Sequence, residues 1–157
     1  MKADMLGELV ITVFRANGAW IRWGDELAAP YGLTSARWQV LGALAAAGPL
    51  TVPAIARAMG LTRQAVQKQV DALCALALLA LRDNPEHQRS PLVALTAAGR
   101  KRFDGVDEAF RRAAEELART QRAEALAAAR ALLDGLTERL ATSRTEVSDG
   151  RTSRKSG

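Results

Sequence analysis

Residues 55–66, IARAMGLTRQAV, have the pattern of two short helices joined by a tight turn. Ala56 is small enough to let two helices cross closely, and Gly60 can adopt the positive φ that ends a helix in a left-handed turn. Thr62 then stands where its hydroxyl can cap the next helix, and Val66 can pack back between the two helices. This spacing predicts a helix-turn-helix.

The segment that follows predicts a wing. We expect the second helix to end near Leu79, residues 81–83 to form a strand, residues 84–90 to form a polar loop and residues 92–95 to form a second strand. A short edge strand at residues 50–52 completes a small three-stranded sheet. The predicted fold class is therefore mainly α, a winged helix-turn-helix with additional helices.

Further helices are predicted on both sides of this unit. Apolar residues recur at three- and four-residue spacing over residues 5–28, and Thr34 or Ser35 can cap the helix that follows. Thr96 can cap another helix, and a last helix from Gln121 to about residue 141 carries a narrow leucine stripe. The remaining residues, 142–157, have no apolar anchor and are predicted to be a disordered basic tail.

Positive charge is concentrated in the middle of the chain. The 157 residues contain 22 Lys and Arg against 17 Asp and Glu, a net charge of +5. Residues 51–103 alone hold eight basic and three acidic side chains, whereas residues 1–50 are neutral and residues 104–142 are acidic overall. This distribution favours a polyanion-binding module, and the alternative is a solvated basic face without a partner.

Composition excludes several classes of function. One cysteine and one histidine leave no internal disulfide and too few ligands for a zinc site, so we predict no metal and no cofactor. No Gly-rich phosphate loop and no base beside a Ser or Cys nucleophile are evident, so no catalytic residues are assigned. The longest apolar run, residues 72–81, is half of the roughly 20 residues that a membrane helix requires. No secretory signal is evident either, so we expect a soluble cytoplasmic protein without a membrane partner.

These segments together resemble the MarR (multiple antibiotic resistance regulator) family of winged-helix transcription factors over roughly residues 5–141. The motifs that carry the resemblance are GLTSARWQVL at 32–41, LTV at 50–52 leading into Ile55-Ala56, GLTRQAV at 60–66, RDNP at 82–85 with Arg89, and LTAAG at 95–99. Two positions depart from the family pattern. His87 stands where the family usually has an Asp that fixes the wing arginine, and no Gly ends the second helix of the motif.

The resemblance implies an obligate homodimer that binds double-stranded DNA at a pseudo-palindromic operator. Residues 1–33 would be an N-terminal dimerisation helix, residues 34–99 the winged DNA-binding domain and residues 100–141 the C-terminal dimerisation helices. Two recognition helices roughly 34 Å apart would obstruct polymerase. A ligand that favours a different spacing would release the DNA. The predicted function is a ligand-responsive repressor, and the alternative is a winged-helix protein-interaction module that lacks sequence-specific DNA binding.

The predicted DNA-binding residues lie on the second helix of the motif and in the wing. Arg63 can donate two hydrogen bonds to a guanine edge, Gln64 or Gln67 can read adenine, and Lys68 can neutralise a phosphate. Arg89 at the wing tip would enter a narrow minor groove. The full predicted set is Thr62, Arg63, Gln64, Gln67, Lys68 and Arg89.

Four aromatic residues near the junction of the first two helices form a candidate effector site: Trp20, Trp23, Tyr31 and Trp38. Apolar walls with a few polar groups suit an aromatic or amphipathic ligand. Core or dimer packing is the alternative that we favour, because aromatic residues at helical spacing are most often packed.

Cys74 and His87 are considered as sensing residues. Cys74 is surrounded by Ala and Leu, which favours a buried inert thiol over a redox switch. His87 could make DNA binding depend on pH.

Overall fold

A computed structural model describes the backbone of residues 1–152 and the side chains of residues 1–142. In this part of the chain six α-helices, one short 3-10 helix and two strands follow one another in a mainly helical order. The elements are α1 (Lys2–Ala28), the 3-10 helix (Ala29–Tyr31), α2 (Ser35–Ala47), α3 (Val52–Met59), α4 (Arg63–Ala75), β1 (Leu79–Arg82), β2 (Leu92–Leu95), α5 (Ala97–Ala118) and α6 (Ala123–Thr152).

Residues Met1–Ala113 form one compact unit with a single apolar core. Helices α2, α3 and α4 and the two strands all contribute fully or nearly fully buried side chains to it. The largest buried side chains are Val40, Leu41, Leu44, Ile55, Val66, Val70, Leu73, Val93 and Val106. These residues recur at helical spacing on α2 and α4, which is why the apolar periodicity of the sequence predicts the helices.

The helix-turn-helix is formed as predicted. Helix α3 ends at Gly60, whose φ is 64°, and the Leu61 amide donates to the carbonyl of Ala56 at 3.0 Å. Thr62 is the N-cap of α4, since its hydroxyl accepts a hydrogen bond from the Ala65 amide at 3.1 Å. The carbonyl at the end of α3 and the amide at the start of α4 that have no partner within their own helices, those of Ala56 and Ala65, are thereby hydrogen-bonded at a three-residue turn.

Helix α4 ends four residues earlier than predicted, at Ala75 rather than near Leu79. The end has the hydrogen-bond pattern of a Schellman motif, in which the Leu78 amide donates to Leu73 and the Ala77 amide donates to Cys74. Ala77 occupies the left-handed position of this motif, with φ of 55°. Because glycine is the usual residue there, the sequence carries no signal for the helix end at an alanine.

The wing is a two-stranded antiparallel sheet, and the predicted third strand is reduced to one residue. Strands β1 and β2 pair with Leu79 opposite Leu95 and Arg82 opposite Leu92. Leu50 forms only an isolated bridge to Val93, with amide-to-carbonyl distances of 3.1 and 2.8 Å. The extended segment cannot be longer because the next residue, Thr51, already caps α3.

The turn after α4 is tied to the start of α5 by Thr96. Its hydroxyl lies 2.8 Å from the carbonyl oxygen of Ala77 and 3.1 Å from that of Leu78, and it accepts from the Gly99 amide at 3.0 Å. Gly99 packs directly on the Leu78 carbonyl, in a space that has no room for a Cβ atom. The LTAAG motif thus joins the wing to α5 through one hydroxyl and one close backbone approach.

The second compact unit begins at Ala114 and contains the end of α5 and helix α6. Helix α6 continues to Thr152, so residues 142–152 are helical and the prediction of a disordered tail starting at residue 142 is wrong for them. The physical reason is local: neither Gly nor Pro interrupts the chain between residues 136 and 149. Residues 153–157 lie outside the described residues.

Candidate nucleic-acid interface

Helix α4 divides into a buried face and an exposed face. Val66, Val70 and Leu73 point into the core. The predicted DNA-binding residues are on the opposite side, where Thr62, Arg63, Gln64, Gln67 and Lys68 are all exposed. Leu61 and Ala65 are also exposed, because Leu61 lies in the turn and Ala65 in the first helical turn, before α4 meets the core.

Two of these polar side chains already have partners on the helix. The Thr62 hydroxyl is the N-cap described above. The Gln67 side-chain amide donates to the Asp71 carboxylate one turn later, at 2.7 Å. The hydrogen bond fixes which end of the Gln67 amide faces Asp71, and it leaves the Gln67 carbonyl oxygen free to accept. Asp71 is not among the predicted site residues, although its four-residue spacing from Gln67 is a usable sequence signal.

The wing arginine and helix α4 share one cleft. A cavity of about 290 Å³ is lined by Arg63 and Gln67 from α4 and by Arg89, Ser90 and Pro91 from the wing. Apolar residues at the start of α3 and in the sheet, including Val52 and Val93, complete its lining. The fold therefore brings three of the predicted DNA-binding residues to the same side of the molecule, although the wing arginine lies more than twenty positions away in sequence.

The positive charge of this surface is uncompensated. Arg63, Lys68 and Arg89 are exposed, and none of them forms an ion pair with any residue whose side chain the structure describes. Two arginines of α5 differ, since Arg111 and Arg112 each bind a carboxylate one turn earlier. Free guanidinium and ammonium groups on one surface are suited to a polyanion.

The wing loop contains a residue that the sequence analysis missed. Asn84 is buried, its Nδ2 donates to the Ser90 carbonyl at 2.8 Å, and its Oδ1 accepts from the Glu86 amide at 3.1 Å. The only sequence signal is an Asn before a Pro, which is typical of turns in general. His87, also in this loop, is exposed, and its backbone amide donates to the Asn84 carbonyl at 3.2 Å.

The aromatic residues proposed as an effector site are largely packed against one another. Trp20 and Trp23 make an edge contact with ring centroids 5.3 Å apart. Phe110 of α5 lies 5.6 Å from Trp23 and 5.2 Å from Trp38, so it connects helices α1 and α2 through their rings. Tyr31 is placed elsewhere, against Gly105. Phe110 therefore links Trp23 and Trp38, Tyr31 packs against the core, and Trp20 is 58% exposed.

A second cavity lies beside this aromatic cluster. It measures about 280 Å³ and is lined by Trp38, Gln39 and Gly42 of α2 and by Phe103, Asp107 and Phe110 of α5. Trp38 is the only member of the predicted effector set in its lining.

Cys74 is half-buried, and its thiol is disfavoured from ionising. Burial raises the pKa of the Cys74 thiol, and the nearby Asp71 carboxylate raises this pKa further. A thiol that stays protonated is a weak nucleophile, which agrees with the inert role predicted from its neighbours. Among the described residues, no group of three His, Cys, Asp or Glu side chains is placed to hold a metal ion.

Comparison with known proteins identifies the family. A family model described as "MarR family" matches residues 31–90, which include the helix-turn-helix and most of the wing. Crystal structures with the same fold include a MarR-family transcription regulator, with a TM-score of 0.77 at 20% identity, covering 90% of this chain and 93% of that one. The chain belongs to the MarR family.

Other similar proteins match over most of the chain. The regulator BldR from Sulfolobus solfataricus has a TM-score of 0.75 at 22% identity, covering 90% of this chain and 99% of that one. A mutant MarR from E. coli, crystallised with operator DNA, has a TM-score of 0.72 at 23% identity, covering 83% and 92%. In sequence, a protein of Mycobacterium tuberculosis described as uncharacterised is 42% identical over 106 residues, 68% of this chain and 73% of that protein.

Membership of this family confirms two predictions. The fold class is a mainly helical winged helix, and the chain is a transcription regulator rather than an enzyme. No helix in the described part of the chain is both long enough and apolar enough to span a bilayer.

Proposed function

We propose that this MarR-family regulator is a cytoplasmic homodimer that binds a pseudo-palindromic DNA operator sequence-specifically and represses transcription. The observation that carries the proposal is the shared cleft, in which Arg63 and Gln67 of α4 face Arg89 of the wing. A helix that enters the major groove and a wing arginine that reaches the neighbouring minor groove would then contact one stretch of duplex. The E. coli MarR that shares this fold was crystallised with operator DNA, which supports operator binding by this chain.

Each exposed side chain of α4 is assigned a role by its chemistry. Arg63, in the first turn, presents a planar guanidinium that matches the two acceptors of a guanine edge. Gln64 and Gln67 carry amides that match the donor and acceptor of adenine, and the bond from Gln67 to Asp71 orients the second of these amides. Thr62, as the N-cap, places the first turn, and its hydroxyl oxygen lies at the end of the helix that approaches DNA.

Phosphate contacts supply the affinity that does not depend on sequence. Lys68 is exposed and unpaired among the described side chains, and a flexible ammonium group suits a phosphate. Arg89 adds a guanidinium for a minor groove narrowed by A·T base pairs, where the negative potential is strongest. Each phosphate neutralised releases counterions, so binding weakens as the salt concentration rises.

Unpartnered apolar side chains support dimerisation. In the first half of α1, Met5, Ile11 and Phe14 are each more than 60% exposed. Helix α6, considered by itself, exposes Leu126, Leu132 and Leu133. Exposed apolar surface on this scale is typical of a face that is covered by another chain. A two-fold dimer would place two copies of α4 on successive turns of one face of the duplex.

The ligand response is proposed for the cavity between α2 and α5. Its lining combines the rings of Trp38, Phe103 and Phe110 with the polar groups of Gln39 and Asp107, a composition that suits a small aromatic or amphipathic effector. A ligand in this cavity that binds better to the dimer when its two α4 helices have a different separation would lower the fraction of protein able to bind DNA.

Selection from a pool of randomised duplexes tests the DNA-binding proposal. We expect enrichment of an inverted repeat whose half-site centres are about 10 base pairs apart, and we expect Arg63→Ala to abolish the enrichment at one base position in each half-site. Arg112→Ala is the matched control, because it removes the same charge from an exposed, ion-paired residue of α5. A pool that stays random after selection would contradict the proposal and favour the protein-interaction module.

A further inference from the structure

Asn84 is a buried polar residue in a loop that is otherwise exposed. Only 9% of its surface is accessible, whereas its loop neighbours Pro85, Gln88 and Arg89 are exposed. A side-chain amide loses its bonds to water on burial, so burial is unfavourable unless both its donor and its acceptor find partners. The location of Asn84 therefore depends on the hydrogen bonds that it makes within the loop.

These hydrogen bonds connect the two ends of the loop. The Asn84 Nδ2 donates to the carbonyl oxygen of Ser90 at 2.8 Å, six residues later. Its Oδ1 accepts from the Glu86 amide at 3.1 Å, and its backbone carbonyl accepts from the His87 amide at 3.2 Å. One residue thus holds the start, the middle and the end of the loop.

Arg89 lies inside the segment that this network fixes. The Ser90 amide donates to the His87 carbonyl at 3.0 Å, which closes a four-residue turn with Arg89 as its third residue. The carbonyl of the next residue, Ser90, is the group bound by Asn84. No described side chain forms an ion pair with Arg89, so the loop backbone alone sets the point and the direction in which the Arg89 side chain leaves the loop.

We propose that Asn84 is a positioning residue for DNA recognition, which holds the wing loop in the conformation that directs Arg89 towards the DNA. The inference rests on the proposed function. A loop held in its binding conformation loses less conformational freedom when the complex forms, so the same arginine contact contributes more to affinity. Asn84 itself does not contact DNA in this account, and its whole effect passes through Arg89.

The substitution Asn84→Asp changes the hydrogen bonds of this side chain while keeping its size. Aspartate keeps the acceptor for the Glu86 amide, but it has no amide donor, and it places a carboxylate oxygen against the Ser90 carbonyl. The change also adds a negative charge to the wing. Gln88→Glu is the matched control, because it adds the same charge at an exposed position of the same loop.

Operator affinity of the full chain, measured by fluorescence anisotropy, tests the inference. Asn84→Asp should weaken binding about tenfold more than Gln88→Glu does, close to the effect of losing one arginine contact. In an Arg89→Ala background this difference should disappear, because the residue that Asn84 positions is absent. A difference between the two variants that persists without Arg89 would overturn the inference, as would equal affinities in its presence.

A second measurement needs no DNA and distinguishes the inference from the proposed function. Amide hydrogen exchange of the free protein should be slow at His87 and Ser90, and Asn84→Asp should accelerate it there while leaving helix α5 protected. Unchanged protection would overturn the inference even if the chain binds its operator. Accelerated exchange together with the absence of any operator binding by the unmodified chain would refute the proposed function and, with it, the role of Asn84 in DNA recognition.

Discussion

Replacement of Gly99 by alanine tests how the wing is joined to α5. A Cβ at this position would lie 3.0 Å from the carbonyl carbon of Leu78, closer still to its oxygen, and 3.2 Å from a methyl carbon of Leu95. The Leu78 carbonyl cannot move away freely, because the Thr96 amide and hydroxyl both lie 3.1 Å from its oxygen. The clash must therefore break these bonds or displace the turn.

The expected loss follows from three contributions. Overpacking a tightly filled site costs about 1–3 kcal/mol, and one or two weakened hydrogen bonds cost about 1 kcal/mol each. The higher helix propensity of alanine returns about 1 kcal/mol. Gly99→Ala should thus lower the free energy of unfolding by about 1–4 kcal/mol, which corresponds to a fall in melting temperature of roughly 2–16 °C for a chain of this size.

Thermal and urea unfolding followed by circular dichroism, at one fixed protein concentration, measure this loss. Gly7→Ala is the control, because nothing lies within 4 Å of a Cβ built at Gly7, which is also helical. That variant should be neutral or more stable by up to about 1 kcal/mol. A Gly99→Ala protein that melts at or above the temperature of the unmodified chain would refute the reasoning.

Three further predictions concern α4 and its end. Ala77→Gly should raise the unfolding free energy by about 0.5–1 kcal/mol in urea titrations, because it relieves a left-handed alanine; a loss of stability would contradict the assigned φ. Arg63→Ala should cost about 1–3 kcal/mol at the operator but little on scrambled duplex, whereas Lys68→Ala should weaken both alike and lower the salt slope by about 1; the reverse pattern in anisotropy titrations would exchange their roles. Iodoacetamide should modify Cys74 more slowly in the native than in the denatured chain at pH 8, since burial and then the Asp71 carboxylate raise the pKa of its thiol, and equal modification rates would contradict the assignment. Because the folded state favours the protonated thiol, the contribution of Cys74 to the free energy of unfolding is constant below the ordinary thiol pKa and falls as pH rises above it.

Local sequence signals predicted the helix-turn-helix because its determinants are close in the chain. Gly60 needs a positive φ, and the Thr62 hydroxyl needs an amide three residues later, so both can be recognised from neighbouring residues. The end of α4 could not be recognised in this way, because Ala77 adopts a conformation that its side chain disfavours. Its stabilising partner, the Thr96 hydroxyl, lies 19 residues further along the chain.

The candidate site likewise combines residues that short-range sequence patterns predict with residues that only the tertiary fold brings together. Exposure of Arg63, Gln64 and Lys68 follows from helical periodicity alone. The approach of Arg89 to the cleft depends on strand pairing and on a loop closed by Asn84, and neither leaves a pattern at short range. The aromatic residues were recognised as a group, but the ring that connects Trp23 and Trp38, Phe110, belongs to a helix that is distant in sequence.

The central claim is that the exposed face of α4 and the wing read DNA sequence. The most direct measurement is the affinity of the purified chain for the DNA upstream of its own gene and for a scrambled duplex of equal length and composition, across a series of salt concentrations. We expect binding at least about 10³-fold tighter to the upstream DNA at physiological salt, with both affinities falling as salt rises. Equal affinities for the two duplexes at every salt concentration, together with no enrichment from the randomised pool, would contradict it.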